Sequence, residues 1–215
     1  MGSTHLVVID LFCGAGGAAR GIELACQDVG VAVTIIGVDN RPQPRYPYNF
    51  IQGEWDSVEL DGADFVWASP PCQHYTQMLN HGRTDRAKHP DLISAVRTLT
   101  PHVIENVAHA PLESPGMLCG EMFGIRVTRH RFFECSFPIS WPHHPRHRGK
   151  GHRKQGDGGF YYRVYGHETG KSEWGAAMGI DWMRSPELAQ SVPPAYSRYI
   201  FSQWLRTRPS PQTTR

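Results

Sequence analysis

One cysteine, Cys72, stands in the stretch Ser69-Pro70-Pro71-Cys72-Gln73, directly after an apolar run. The two prolines fix φ and remove backbone donors, so this segment continues neither a ladder nor a helix. A thiol on so stiff a platform is held in place, and as a thiolate it is a nucleophile. Quiet burial is the commoner fate of a cysteine, so its company decides the reading. Glu105 closes the apolar run "HVI", and a carboxyl there is a candidate general acid or hydrogen-bond partner. Taken alone, Glu105 reads as a cap or an ion-pair carboxylate. Arg129 and Arg131, in "TRHRFFE", share one face of an extended chain. Their planar forks suit phosphate or carboxylate. A solvated edge strand explains the pair alone equally well.

A second group suggests a bound nucleoside. After Asp10-Leu11-Phe12 comes Cys13-Gly14-Ala15-Gly16-Gly17, a glycine turn that lets a ligand approach the backbone closely. The spacing is not G-x-G-x-x-G, so no dinucleotide is implied. Asp39, ending the run "VAVTIIGVD", is placed to accept hydrogen bonds from ribose hydroxyls.

The elements that position these residues follow from periodicity. "HLVVIDLF" (5–12) predicts a strand, and "IELACQDVG" predicts a helix stopped by Gly30. Further buried strands are expected over 31–40, 63–71 and 101–107. Strands alternating with helices predict a parallel sheet covered on both faces. Ligands then bind at the carboxyl ends of its strands, where Asp39, Cys72 and Glu105 fall. Residues 137–172 are rich in Pro, Gly, His and Arg and lack periodicity, which predicts an insert. Helices return at "SEWGAAMGI", at "RSPELAQS" with Ser185 as N-cap and Pro186 in first position, and at "VPPAYSRYIFSQWLRTR".

The 215 residues suit one compact domain with 40% hydrophobic and 20% charged residues, and net charge is only +2. Basic charge is instead concentrated in "HHPRHRGKGHRK" (143–154), which has five Lys or Arg, four His and no acid. Five cysteines and an acidic, short apolar start point away from a disulfide framework and a signal peptide. No run is long enough for a membrane span. The expectation is a cytosolic monomer. His143, His144, His147 and His152, with Cys135 nearby, fit no common zinc spacing. No metal is expected, and Cys13, Cys26 and Cys119 read as packing residues.

In chain order, "DLFCGAGG", "GVDN", "SPPCQ", "ENV", "RHRFFE" and "QSVPPAYSRYI" resemble the motifs of DNA cytosine-5 methyltransferases, over roughly residues 6–135 and 175–205. The ordered set is specific where each piece alone is not. The short spacing and "LCGEMFG" look like compact members found in phages and prophages. The resemblance implies an α/β, Rossmann-like methyltransferase fold with a mostly parallel sheet and a small irregular target-recognition lobe. It divides the chain into a catalytic domain (1–135), a basic recognition insert (136–174), returning C-terminal helices (175–207) and a tail (208–215).

The implied methyl donor is S-adenosylmethionine. By resemblance it is lined by Phe12, Gly14, Ala15, Gly16 and Pro70, with Asp39 and Asn40 at the ribose. Glu54 is expected at the adenine amino group, with Trp55 near the ring and Asp56 as the alternative acid. Gln190 and Ser191 fold back from the last motif, where the family more often has Asn at the position of Gln190. Cys72 would add to carbon 6 of cytosine and make carbon 5 nucleophilic. Glu105 would hold the ring nitrogen and exocyclic amine, and Arg131 with Arg129 the base carbonyl. Pro71, Gln73 and Asn106 would flank the base, and Arg146, Arg148 and Lys150 would meet phosphates. The base must be flipped out of a duplex, and the loop 73–90 is expected to close over it. The expected partner is double-stranded DNA. The gap 136–174 is much shorter than in larger members, which keeps open RNA or a free cytosine nucleotide as substrate. A catalytically silent nucleic-acid-binding homologue is the remaining alternative.

Overall fold

The computed structural model describes residues 5–72, 75, 91–99, 101–147, 153–154, 160–164 and 173–208. Its centre is a seven-stranded sheet. Strands β1 (His5–Leu11), β2 (Ala32–Asp39), β3 (Asn49–Gln52), β4 (Phe65–Ala68) and β5 (His102–Asn106) run parallel. Strands β6 (Gly116–Leu118) and β7 (Arg131–Cys135) close one edge antiparallel, in the order β3-β2-β1-β4-β5-β7-β6. This is the mostly parallel α/β sheet expected. β4 and β5 are buried along their whole length. That is why they read as unbroken apolar runs rather than alternating ones.

Helix α1 (Gly17–Asp28) buries Ala18, Ala19, Ile22, Ala25 and Cys26, a helical stripe. Burying a side chain such as Ile22 stabilises the fold by about 1.5–3 kcal/mol. The helix ends where Gly30 takes a φ of 69°, as expected. Helix α5 (Pro194–Thr207) lies against α1, and Phe201 and Trp204 stack on Phe65 with centroids 4.9 and 4.6 Å apart. The opposite sheet face is covered by α2 (Ile93–Val96), with Ile93 and Val96 packed on Ile9, Leu11, Val66 and Ile104. The short helices α3 (Glu173–Met178) and α4 (Ser185–Gln190) form a third apolar cluster with Ala15, Val127 and Val164.

The structure corrects two details of the sequence reading. The cap of α4 is Arg184, not Ser185, which is the first helical residue. Glu187 takes over the capping task by accepting the Arg184 backbone N–H at 2.7 Å. The insert is also not without regular structure. It carries an antiparallel ribbon of β8 (Arg153–Lys154) and β9 (Phe160–Tyr161), and Tyr162 bridges to Val127. Among the described residues, no helix is long and apolar enough to cross a membrane.

Candidate active site

Cys72 follows β4 by four residues and Glu105 lies at the end of β5, so parallel pairing of the two strands carries both to one edge of the sheet. Arg131 opens β7, which pairs antiparallel with β5. Its Nε lies 2.9 Å from Glu105 Oε1. Glu105 is buried, and desolvation pushes its carboxyl above the ordinary glutamate range. Arg131, Arg129 and a hydrogen bond from Ser69 pull it partly back. Burial also raises the Cys72 thiol, and Glu105 adds to the rise. The positive charge of Arg131, and less that of Arg129, works in the opposite direction. The arginines therefore favour the thiolate, but burial wins in the protein alone.

Arg129 sits differently from Arg131. Fully buried, it donates from Nη1 to the Val164 carbonyl at 2.8 Å and from Nη2 to the Ala189 carbonyl at 2.6 Å. Its own carbonyl accepts the Tyr196 hydroxyl at 2.6 Å. Desolvation and the like charge of Arg131 lower its pKa to about 9. Arg129 thus ties the insert, α4 and α5 together behind the site.

Asn106 is buried and donates from Nδ2 to the Pro70 carbonyl at 2.9 Å, while its Oδ1 accepts the Val107 N–H at 2.9 Å. It anchors the Pro-Pro-Cys segment to β5. Ser69 accepts the Trp67 indole N–H at 3.1 Å and hydrogen-bonds Glu105. Pro70 is buried and Pro71 exposed. Arg146 is exposed on the insert. Gln73, Arg148 and Lys150 lie outside the described residues, as does the loop 73–90 apart from Tyr75.

The glycine turn leads from β1 into α1. Phe12, Gly14 and Gly16 adopt φ of 56°, 49° and 87°. A Cβ at Gly14 would meet nothing within 4 Å, so the turn is open there, whereas at Gly16 it is packed against Tyr46 and Pro47. Asp39 braces it, accepting the Gly14 N–H at 3.0 Å and the Arg41 N–H at 2.9 Å. Partly exposed Phe12 and Trp55 flank one apolar cluster, and Asn40 donates to Glu54 at 3.2 Å on the exposed rim. Ser191 packs on the start of α1, where a Cβ at Gly17 would lie 2.0 Å from its Oγ. Gln190 is exposed at the end of α4. Asp39 thus sits against Gly14, Asn40 against Glu54, and Ser191 against the start of α1, with Gln190 exposed beyond them.

Sequence reasoning missed several partners of this site. Trp182 donates its indole N–H to the Ala15 carbonyl at 2.8 Å, bracing the turn from the far end of the chain. Asp10 is buried below the turn and burial pushes its carboxyl far up, with the Tyr46 hydroxyl 3.3 Å away. An acid inside "VVIDLF" was the available signal for Asp10; Trp182 carried none.

No protein-family model matches the sequence, and no curated protein matches it. Among solved structures the chain is similar to the Dnmt2 methyltransferase of S. pombe, at 13% identity and a TM-score of 0.58, over 94% of this chain and 99% of that one. It is also similar to the methyltransferase EhMeth of Entamoeba histolytica, at 12% identity and a TM-score of 0.60, over 94% and 97%. These likenesses establish the fold alone, a Rossmann-like, mostly parallel α/β sheet.

Proposed function

We propose that this chain transfers a methyl group from S-adenosylmethionine to carbon 5 of cytosine in DNA. The observation that carries the reading is the convergence of Cys72, Glu105 and Arg131 at the strand ends, with Arg131 paired to Glu105 at 2.9 Å. The open Gly14 cradle, the Asp39 carboxylate and the apolar flank of Phe12 and Trp55 fit the cofactor. Bound there, S-adenosylmethionine supplies an electrophilic methyl group.

Cys72 as thiolate adds to carbon 6 of the flipped cytosine. Glu105, whose carboxyl burial shifts toward the protonated form, holds the ring nitrogen, and carbon 5 becomes nucleophilic. Arg131 fixes the Glu105 carboxyl and reaches toward the base carbonyl. Carbon 5 would then take up the donor's methyl group, and transfer of its proton to solvent with departure of the Cys72 thiolate would release the methylated base. Arg129 and Asn106 are positioning residues, since their hydrogen bonds go to the chain itself. Extruding the base costs a few kcal/mol in a duplex, and phosphate contacts made by the basic insert would offset it.

The small insert favours a second reading, the same chemistry on RNA. One experiment addresses both: transfer of tritiated methyl to duplex DNA and to transfer RNA, beside Cys72→Ala. Label in DNA at carbon 5 of cytosine, lost in the variant, supports the proposal. Label in RNA alone moves the reading to RNA, and label in neither overturns it.

A further inference from the structure

Four side chains outside the catalytic group turn toward one point. Cys119 follows β6 and is fully buried. His130 lies between Arg129 and Arg131. His144 and His147 come from the basic insert. One donor atom from each of the four lies within 4.8 Å of every other. His130 Nε2 is 3.1 Å from His144 Nε2 and 2.9 Å from His147 Nε2.

Hydrogen bonding does not account for this arrangement. A neutral imidazole has one N–H and one bare nitrogen. His147 Nδ1 donates to Glu121 Oε1 at 2.6 Å, so in the neutral ring its Nε2 is bare. His130 Nε2 faces that lone pair and His144 Nε2 at once, and one proton cannot serve both contacts. A cation bound by all of them can. Zinc–nitrogen bonds of about 2.0–2.1 Å and a zinc–sulfur bond of about 2.3 Å give tetrahedral edges of about 3.3–3.6 Å. The two nitrogen–nitrogen spacings of 3.1 and 2.9 Å are a few tenths of an ångström tighter than such an edge, and the remaining ones lie within 4.8 Å, so a small adjustment admits the ion.

We infer that Cys119, His130, His144 and His147 form a structural zinc site. Three nitrogens and a thiolate select zinc over magnesium or calcium, which prefer oxygen. Four protein ligands close the coordination sphere, as in structural rather than catalytic sites. Glu121 orients His147 from behind, the usual outer-shell task of a carboxylate on a metal-bound histidine. The Cys119 sulfur also faces the backbone N–H of Met122 at the start of the following turn, which suits a thiolate. The ion joins the insert to the β6–β7 edge. It also fixes the peptide of His130, whose carbonyl accepts Arg131 Nη1 at 2.9 Å. The inference stands on this geometry, independently of the reaction proposed above.

The test uses the full chain without a polyhistidine tag, purified from zinc-supplemented cells. Mass spectrometry of the metal should find about one zinc per chain. Reconstitution with Co²⁺ should give intense tetrahedral visible bands and a thiolate charge-transfer band in the near ultraviolet. Cys119→Ser should remove the charge-transfer band and Cys135→Ser should leave it. His144→Ala, on a half-exposed insert position and folded by circular dichroism, should lose the bound zinc. A metal-free wild type with no cobalt spectrum would overturn the site. So would wild-type zinc content in folded His144→Ala, or an unchanged charge-transfer band in Cys119→Ser.

Discussion

Burial and charge pull Cys72 in opposite directions, and the balance makes its reactivity conditional. The thiol is raised by desolvation and by Glu105, while Arg131 lowers it. Removing the guanidinium should therefore raise it further. The pH midpoint of Cys72 alkylation is expected above that of an ordinary thiol, and higher again in Arg131→Gln. Adding the sulfonium cofactor should lower the midpoint, and its neutral thioether product should do so less. Equal shifts by the two ligands would remove charge as the cause. Glu105 obeys the opposite logic. Its folded value is raised, so it keeps a proton at a pH where an ordinary glutamate has lost it. If that proton is used, kcat/KM falls as pH rises through the raised value. Glu105→Gln should lower methyl transfer by about 10²–10⁴-fold, with the pH-dependent fall abolished. A retained fall would assign it to another group. Cys72 and Glu105 were legible because the one follows and the other closes a recognisable apolar strand. The part played by Arg129 was not, because its partners are carbonyls of Val164 and Ala189, far away in the chain.

β4 and β5, buried on both faces, announce themselves through unbroken apolar runs, and β1 and β2 were read the same way although β2 is only partly buried. β6 and β3 were not, since three or four residues at an edge carry no period. The contact of α1 with α5 is another feature that only the structure reveals. Gly21 has an ordinary helical place, yet a Cβ there would lie 2.0 Å from Ser197 Oγ and 2.1 Å from the Pro194 carbonyl. The two helices approach so closely because Gly21 has no side chain. Gly21→Ala is expected to cost about 2–3 kcal/mol and lower Tm by about 5–10 °C. Gly14→Ala faces open space instead, and its strain comes from the left-handed backbone alone. It should change Tm less but weaken S-adenosylmethionine binding, read by calorimetry. The reverse ranking would show that the glycine turn is structural and not a ligand cradle.

At the scale of the whole molecule, near-neutral net charge hides an uneven distribution. Most of the spare basic charge lies in residues 143–154, beside histidines that gather with Cys119. The sequence singled out His144 and His147 among them but set them beside Cys135, which belongs to β7 and packs against the core. The other two members, Cys119 before the turn Gly120–Phe123 and His130 beside β7, are distant in sequence, and only folding brings 119, 130, 144 and 147 together. An insert this small has little core of its own, and it docks through the Tyr162 bridge, the Arg129 hydrogen bonds and the proposed ion. The proposed cofactor residues lie elsewhere, around Gly14 and Asp39. Metal removal should therefore separate two functions. After dialysis of the holoprotein against a strong chelator, S-adenosylmethionine affinity should stay within about twofold. Affinity for duplex DNA should fall, and its salt dependence should flatten as phosphate contacts are lost. Arg146→Ala in the metal-bound protein should reproduce part of this, reducing the slope of log K against log salt by about one. Unchanged DNA affinity after complete metal loss would show that the insert holds its place without the ion.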